Sequence, residues 1–240
     1  MQIEDLTERL GTLVLAGPRA RDVLARVTDA DLSSAAFPWL STREVAIGSA
    51  TVRAIRMTYV GELGWELHAP MDALPALYDA LTEAGEARGL RDFGIYAVDS
   101  LRLDKGYRGW KTDLEIGYSP LEASLDRFVD LSKPDFVGRA AVLDEHRRGP
   151  KQRLVPLVFE TAGDADAPAC ASVFLGDAVV GLATSGGWSH TLERSLALAY
   201  VRTDLASPGT RLEVEIFGER RPATVGREPL YDPRNQRLRA

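Results

Sequence analysis

The hydrophobic pattern of the chain changes near residue 150, and this change limits the folds that the chain can adopt. Before it, apolar residues recur at helical spacing, as at Leu74, Leu77 and Leu81. After it, apolar runs are short, rich in valine and separated by Gly, Pro and Asp, which is typical of short antiparallel strands. The sequence therefore predicts an α+β part over residues 1–150 and a small all-β barrel or sandwich over residues 151–240.

The same patterns locate the individual elements. In the first part, strands are predicted at 10–18, 50–61 and 63–70, and helices at 19–29, 71–88, 95–106 and 138–149. The strands at 50–61 and 63–70 are predicted to form a hairpin that turns at Gly61–Glu62. In the second part, strands are predicted at 153–160, within 171–186, at 194–201 and within 210–226. Leu212, Val214 and Ile216 alternate with glutamates, so one face of that strand is predicted to be buried.

The composition excludes several classes of protein. With 240 residues, 45% of them hydrophobic and 27% charged, the chain is long enough for one large domain or two modest ones. A net charge of −6 argues against nonspecific nucleic-acid binding. The single cysteine, Cys170, rules out an internal disulfide framework and favours a reducing compartment. Neither a membrane span nor a signal peptide is predicted, so we expect a cytoplasmic protein.

Motifs for several common chemistries are missing from the sequence. There is no G-x-G-x-x-G after a strand, no P-loop and no C-x-x-C. The three histidines, His68, His146 and His190, are scattered singly, and we expect surface or turn residues rather than metal ligands. Ser185 lacks the G-x-S-x-G pattern of a nucleophile elbow. The sequence therefore predicts no metal site and no serine-hydrolase chemistry.

The stretch "TYVGELGWELHAP", residues 58–70, contains the most informative polar residue. Side chains alternate along a strand, so Trp65 and Leu67 share one face and Glu66 lies on the other. Glu66 is either solvated on the outer face of a half-buried hairpin or part of a cavity wall. In the second case its carboxylate can accept two N–H donors from a heterocycle such as a pterin, stacked near Tyr59.

Five successive blocks of the chain resemble one protein family. They read "LVLAGPRARDVL", "RMTYVGELGWELHAP", "FGIYAVDSLRLDKGYRGWKTDLEIGYSPLEASLDRFVDLSKPDFVGRAAV", "ATSGGWSHTLERSLALAYV" and "REPLYDP". In this order and spacing they are similar to the aminomethyltransferase (glycine-cleavage T-protein) superfamily. Within it, they most resemble the tetrahydrofolate-binding C-terminal region of dimethylglycine and sarcosine dehydrogenases.

The resemblance implies a fold, a cofactor and an activity. It implies an α+β folate-binding body with a ferredoxin-like element, followed by a C-terminal antiparallel β-barrel. Members bind tetrahydrofolate in a central hole and move a one-carbon unit from an amine, iminium or methyl donor onto folate nitrogen. In the family motif Y-x-G-E-x-G-x-E, the tyrosine and the second glutamate line the pterin site, and these are Tyr59 and Glu66 here. Glu62 is expected to be a turn or structural acid.

Two further candidate folate contacts come from the later blocks. The family's "A-R-D-S-L-R-L" block reads "AVDSLRL" here, with Val98 in place of an arginine that helps to hold the anionic folate tail. An apolar residue there favours the demethylating dehydrogenase branch. Arg102 is a candidate folate contact, and the alternative is an ion pair with Asp99 on the same helix face. Trp188 follows two glycines at an expected bend, and it is either near the pocket or a core or interface residue.

The resemblance also implies a missing component. The family's N-terminal block of about 100 residues, which carries the catalytic aspartate, has no counterpart in this sequence. We therefore expect a folate-side part of an enzyme that needs a partner chain supplying that block, or a neighbouring flavin subunit. The alternatives are a non-catalytic folate-binding or regulatory subunit, and a fragment kept for its interface. The iron–sulfur-assembly branch is disfavoured, because its K-G-C-Y-x-G-Q-E signature is absent.

Overall fold

The computed structural model describes residues 2–161 and 163–240, and their contacts divide the chain into two compact units. The first unit comprises the chain up to Val98 together with Arg234–Ala240, and the second comprises Asp99–Pro233. Residues 99–150 therefore group with the barrel strands, which begin at Gln152, close to the predicted change at residue 150.

The first unit is built on a four-stranded antiparallel sheet with the strand order β1-β4-β3-β2. Its elements are β1 (Leu10–Ala16), α1 (Ala20–Leu24), β2 (Thr42–Ile47), β3 (Ala50–Ile55), β4 (Gly64–Pro70) and α2 (Leu74–Glu86). A further helix, α3 (Ile95–Asp104), contains the point where the two units divide. Helix α1 is shorter than predicted, and β2 has no counterpart among the predicted strands.

One face of this sheet packs against α1 and α2 and forms the core of the first unit. Trp65 and Leu67 are fully buried, and they belong to one apolar cluster with Leu24 of α1 and Leu81 of α2. The ring of Phe37 meets Trp65 edge-on, with 6.2 Å between the ring centres. Because side chains alternate along β4, burying Trp65 and Leu67 directs Glu66 to the opposite face of the sheet.

The predicted hairpin pairs as expected, but its first strand ends six residues early and the tight turn at Gly61–Glu62 is wrong. Strand β3 ends at Ile55, and residues 56–63 form an irregular connection to β4. The physical reason is a local turn: the Met57 N–H bonds back to the Ile55 carbonyl at 2.9 Å, while the backbone of Arg56 still bonds to Leu40 and Ser41. The buried Arg56 guanidinium donates to the carbonyl oxygen of Phe37 and to an oxygen of Ala240, each at 2.6 Å.

The second unit contains a closed antiparallel barrel of six strands in the order β10-β5-β8-β7-β6-β9. The strands are β5 (Gln152–Phe159), β6 (Ser172–Leu175), β7 (Ala178–Ser189), β8 (Arg194–Arg202), β9 (Arg211–Ile216) and β10 (Glu219–Val225). The alternation in β9 has the predicted result, since Leu212, Val214 and Ile216 are all buried. These two units confirm the predicted α+β fold with a C-terminal antiparallel β-barrel.

The segment between α3 and the barrel is mostly turns, followed by α4 (Arg139–Arg148). Helix α4 ends at Gly149, whose φ of 78° is readily adopted by glycine. No helix in the described part of the chain is both long and apolar enough to cross a membrane.

Candidate functional site

Glu66 lies on the face of the first unit's sheet that α1 and α2 leave uncovered. Its cross-strand neighbours are Val14 on β1 and Ile55 on β3. Val14 is 42% exposed, whereas the Glu66 side chain is only 26% exposed. Glu66 is therefore a half-buried carboxylate between two apolar neighbours, and its place in a cavity wall stays a prediction.

A short polar chain holds one oxygen of Glu66. The His68 Nε2 atom lies 3.3 Å from Glu66 Oε2, and the His68 Nδ1 atom lies 2.9 Å from the Thr12 hydroxyl. Among the described residues, none donates a hydrogen bond to the other oxygen, Oε1. Glu66 thus keeps an accepting oxygen for a ligand while its carboxylate is fixed by His68.

Tyr59 and Glu62 lie in the irregular connection 56–63 of the same unit. Tyr59 is 38% exposed, so part of its ring is accessible to a ligand. Glu62 is mostly buried and lies 3.8 Å from Arg237, consistent with the structural role expected for it. The Thr58 hydroxyl donates to the Glu62 carbonyl at 2.7 Å and stabilises the connection.

Arg102 is buried in the second unit, and its guanidinium is engaged by that unit. It donates to a carboxylate oxygen of Asp113 at 2.5 Å and to the carbonyl of Tyr107 at 3.1 Å. Asp99, the expected helical partner, lies 3.6 Å from Arg102 Nε, which is an ion-pair contact rather than a hydrogen bond. A direct folate contact by Arg102 stays a prediction, and within its own unit Arg102 anchors Asp113.

Asp113 is the residue that sequence reasoning missed in the second unit. Its carboxylate is completely buried, and it accepts hydrogen bonds from Arg102, from the backbone N–H of Gly109 at 2.7 Å and from two barrel hydroxyls. These hydroxyls belong to Thr184 and Ser185 of β7. Asp113 therefore links the turn before it to the barrel wall, and each of its two carboxylate oxygens accepts two hydrogen bonds.

Trp188 lies in β7, paired with Ser195 of β8, rather than at the bend between these strands. Its side chain is half-buried, and its carbonyl accepts a hydrogen bond from the Ser100 hydroxyl at 2.6 Å. A Cβ atom at Gly186 would collide with the Ala167 carbonyl, which explains that glycine by close packing. A contact between Trp188 and folate stays a prediction.

Asp104 is a second buried carboxylate in this unit, and it is poorly compensated. It is 1% exposed, and neither carboxylate oxygen has a hydrogen-bond partner among the described residues. Burial raises the pKa of Asp104, and the nearby Ser189 and Thr191 hydroxyls and His190 offset the rise only in part. The fold therefore favours the protonated form of Asp104.

We expect Asp104→Asn to stabilise the chain at pH 8 by about 1–3 kcal/mol, because the variant no longer buries an unpaired charge. A raised pKa means that wild type loses stability as pH rises from the ordinary aspartate value towards the folded one. The gain should therefore shrink as pH falls towards 4, because the folded state retains the proton on Asp104 to a higher pH than the unfolded state does. Urea unfolding at both pH values measures this, with the fully exposed Asp177→Asn as control. Equal gains at pH 4 and pH 8 would contradict it.

A surface cavity of about 620 Å³ lies in the second unit. Its wall includes Trp110, Ile116 and Tyr118, and the first two are largely exposed. The ring of Tyr118 stacks on Tyr200 with 3.6 Å between the ring centres. None of the four predicted site residues lines this cavity.

The histidines do not assemble a metal site within the described residues. No group of three or more His, Cys, Asp or Glu side chains there is arranged to hold a metal ion. His146 lies on α4, and His190 lies in the connection between β7 and β8. His68, expected to be a surface residue, instead contacts the candidate carboxylate, and its i, i+2 spacing from Glu66 was the available signal.

Two family models match the chain. The GCVT N-terminal domain matches residues 1–133, and the glycine cleavage T-protein C-terminal barrel domain matches residues 152–232. The chain is 42% identical to human dimethylglycine dehydrogenase over 99% of its own length, which is 28% of that protein. It is 38% identical to an aminomethyltransferase from Saccharopolyspora erythraea, covering 95% of this chain and 62% of that one.

A solved structure has the same fold. The aminomethyltransferase of the glycine cleavage system from Bartonella henselae matches 93% of this chain and 60% of its own, with a TM-score of 0.81 and 28% identity. The chain thus spans only part of each of these relatives.

Proposed function

Because the chain belongs to the glycine-cleavage T-protein family, we propose that it is the tetrahydrofolate-binding part of a one-carbon transferase or demethylase. Its donor is a methylated amine or another methyl donor. The observation that carries this proposal is the environment of Glu66, the last residue of the motif Y-x-G-E-x-G-x-E. Its carboxylate is half-buried and fixed through one oxygen, and it offers the other oxygen to a ligand.

A pterin ring matches this carboxylate chemically. The pterin presents an amino group and a ring N–H side by side, and a carboxylate accepts such donors in charge-assisted hydrogen bonds. Tyr59, partly exposed in the preceding connection, supplies an aromatic surface for the ring. Folate contacts by Arg102 and by Trp188, both in the second unit, stay separate predictions, and within that unit Arg102 is held by Asp113.

The remaining features of the proposal concern the whole protein. Relatives named as dimethylglycine dehydrogenase and sarcosine dehydrogenase are much longer than this chain. A partner chain or a flavin subunit stays part of the proposal. The cytoplasmic location and the ferredoxin-like element stay predictions. A non-catalytic folate-binding or regulatory subunit is the second candidate, and activity measurements separate the two.

We expect Glu66→Gln to weaken tetrahydrofolate binding by about 1.5–3 kcal/mol, because a charge-assisted acceptor is replaced by a neutral one of the same shape. This corresponds to an increase in Kd of about 10- to 150-fold, measured by anaerobic calorimetry. Tyr59→Ala should also weaken binding through lost aromatic contact.

The matched control for this experiment is Glu44→Gln. Glu44 lies on β2 directly opposite Arg53, on the same face of the sheet as Glu66, and its side chain is 66% exposed. Affinity should be unchanged in this variant. Equal affinities of wild type and Glu66→Gln would show that Glu66 does not bind the pterin.

A further inference from the structure

We infer that His68 is a positioning residue for Glu66, which holds the carboxylate in the orientation that binds a ligand. The identity of the ligand, tetrahydrofolate, rests on the proposed function, but the interaction between the two side chains does not. His68 stands outside the motif that identified Glu66, and its role follows from its contacts alone.

Both ring nitrogens of His68 have a partner. Nε2 faces the Glu66 carboxylate at 3.3 Å, and Nδ1 faces the Thr12 hydroxyl at 2.9 Å. A carboxylate only accepts, so Nε2 carries the proton and donates. In the neutral ring Nδ1 then accepts from the Thr12 hydroxyl, which selects this tautomer. The hydroxyl of Thr12 thus orients the ring that orients Glu66.

The His68 ring is only 27% exposed, so the network lies at the edge of the solvent. The charged residue opposite His68 on β3 is Arg53, which lies 3.7 Å from Glu44 of β2. On β4 the facing charge is Glu66 itself, and on β1 the facing group is the uncharged Thr12. The Arg53–Glu44 pair offsets its own charge, and this leaves Glu66 as the charged group that His68 contacts.

The test is anaerobic calorimetry of tetrahydrofolate at pH 8.0 with wild type, His68→Leu, His68→Gln and the control His146→Gln. Leucine has no N–H donor for Glu66, whereas glutamine retains one. We expect Kd to rise about threefold or more in His68→Leu, to rise less in His68→Gln and to stay unchanged in His146→Gln. An unchanged Kd in His68→Leu would overturn the inference.

A second measurement needs no ligand and separates this inference from the proposed function. Nitrogen NMR of the ring at pH 8 should place the His68 proton on Nε2, with Nδ1 accepting a hydrogen bond that Thr12→Val removes. A proton on Nδ1, or a spectrum that neither Thr12→Val nor Glu66→Gln changes, would refute the positioning role. Tetrahydrofolate binding to none of the proteins would instead refute the proposed function, and the NMR result would still decide the role of His68.

Discussion

Replacing Asp113 with alanine is expected to lower the free energy of unfolding by about 3–5 kcal/mol, because it breaks a buried ion pair and leaves one charge uncompensated. The stranded charge is Arg102, whose side chain is only 5% exposed. The hydroxyls of Thr184 and Ser185 lose their acceptor at the same time. Leaving buried donors without partners adds to the loss.

Urea unfolding followed by circular dichroism measures this change. The control is Asp126→Ala. Its side chain is 43% exposed and its ion-pair partner Arg153 is also partly exposed to solvent. Removing this pair should therefore change the free energy of unfolding little. Asp113→Asn keeps the shape and one acceptor oxygen, and it should lie between wild type and Asp113→Ala. A loss below about 1 kcal/mol in Asp113→Ala would show that the cluster is not important for stability.

The purified chain alone is expected to catalyse one-carbon transfer about 10²- to 10⁴-fold more slowly than a complete enzyme, the contribution of general acid–base catalysis. Several half-buried or buried carboxylates of the described chain have other partners. Asp113 is saturated by donors, Glu145 accepts from the Ser119 hydroxyl at 2.8 Å, and Glu66 is the proposed pterin contact. The hydroxyl of Tyr59 is a weak base at neutral pH, as for tyrosine in general.

Formation of methylene- or methyltetrahydrofolate from dimethylglycine, sarcosine or a methyl donor is the assay. The chain is measured alone and with the part of the Bartonella henselae aminomethyltransferase that it does not match. We expect activity only in the mixture, if the two parts assemble. Turnover near 1 s⁻¹ by the chain alone, an ordinary enzyme rate, would show that the catalytic group lies within it.

The barrel was predictable from the sequence because its strands follow a local rule. Side chains alternate with period two, so the buried Leu212, Val214 and Ile216 can be identified from the order of residues alone. The same rule predicts the sheet face on which Glu66 lies, because its neighbours Trp65 and Leu67 are buried on the opposite face. Alternation predicts the face of the sheet on which each side chain lies, but not which residues or ligands that side chain contacts.

The buried polar contacts were not predictable, because they join residues far apart in sequence. Thr184 and Asp113 are separated by 71 positions, and no spacing rule connects a turn aspartate with a barrel hydroxyl. Arg102 illustrates the consequence, since its helical neighbour Asp99 was the partner that sequence suggested and Asp113 is its closer partner. Local spacing identifies ion pairs within one helix, and it gives no information about pairs between residues far apart in sequence.

The end of β3 was missed for a related reason. Residues 56–61 are compatible with a strand by composition, yet the chain turns after Arg56, where the Met57 N–H bonds back to the Ile55 carbonyl. The buried Arg56 guanidinium contacts an oxygen of Ala240, 184 positions away, which no local pattern could reveal. Tertiary contacts and local turns of this kind override strand propensity.

The most direct test of the account is to locate tetrahydrofolate on the chain by NMR titration of the isotope-labelled protein. The central claim is that the pterin binds the sheet face that carries Glu66. The largest changes in backbone amide signals should then occur at Val14, Glu66 and His68, with saturation at a single Kd, and they should be reduced in Glu66→Gln. Changes confined to the barrel strands, or none at saturating tetrahydrofolate, would contradict the claim.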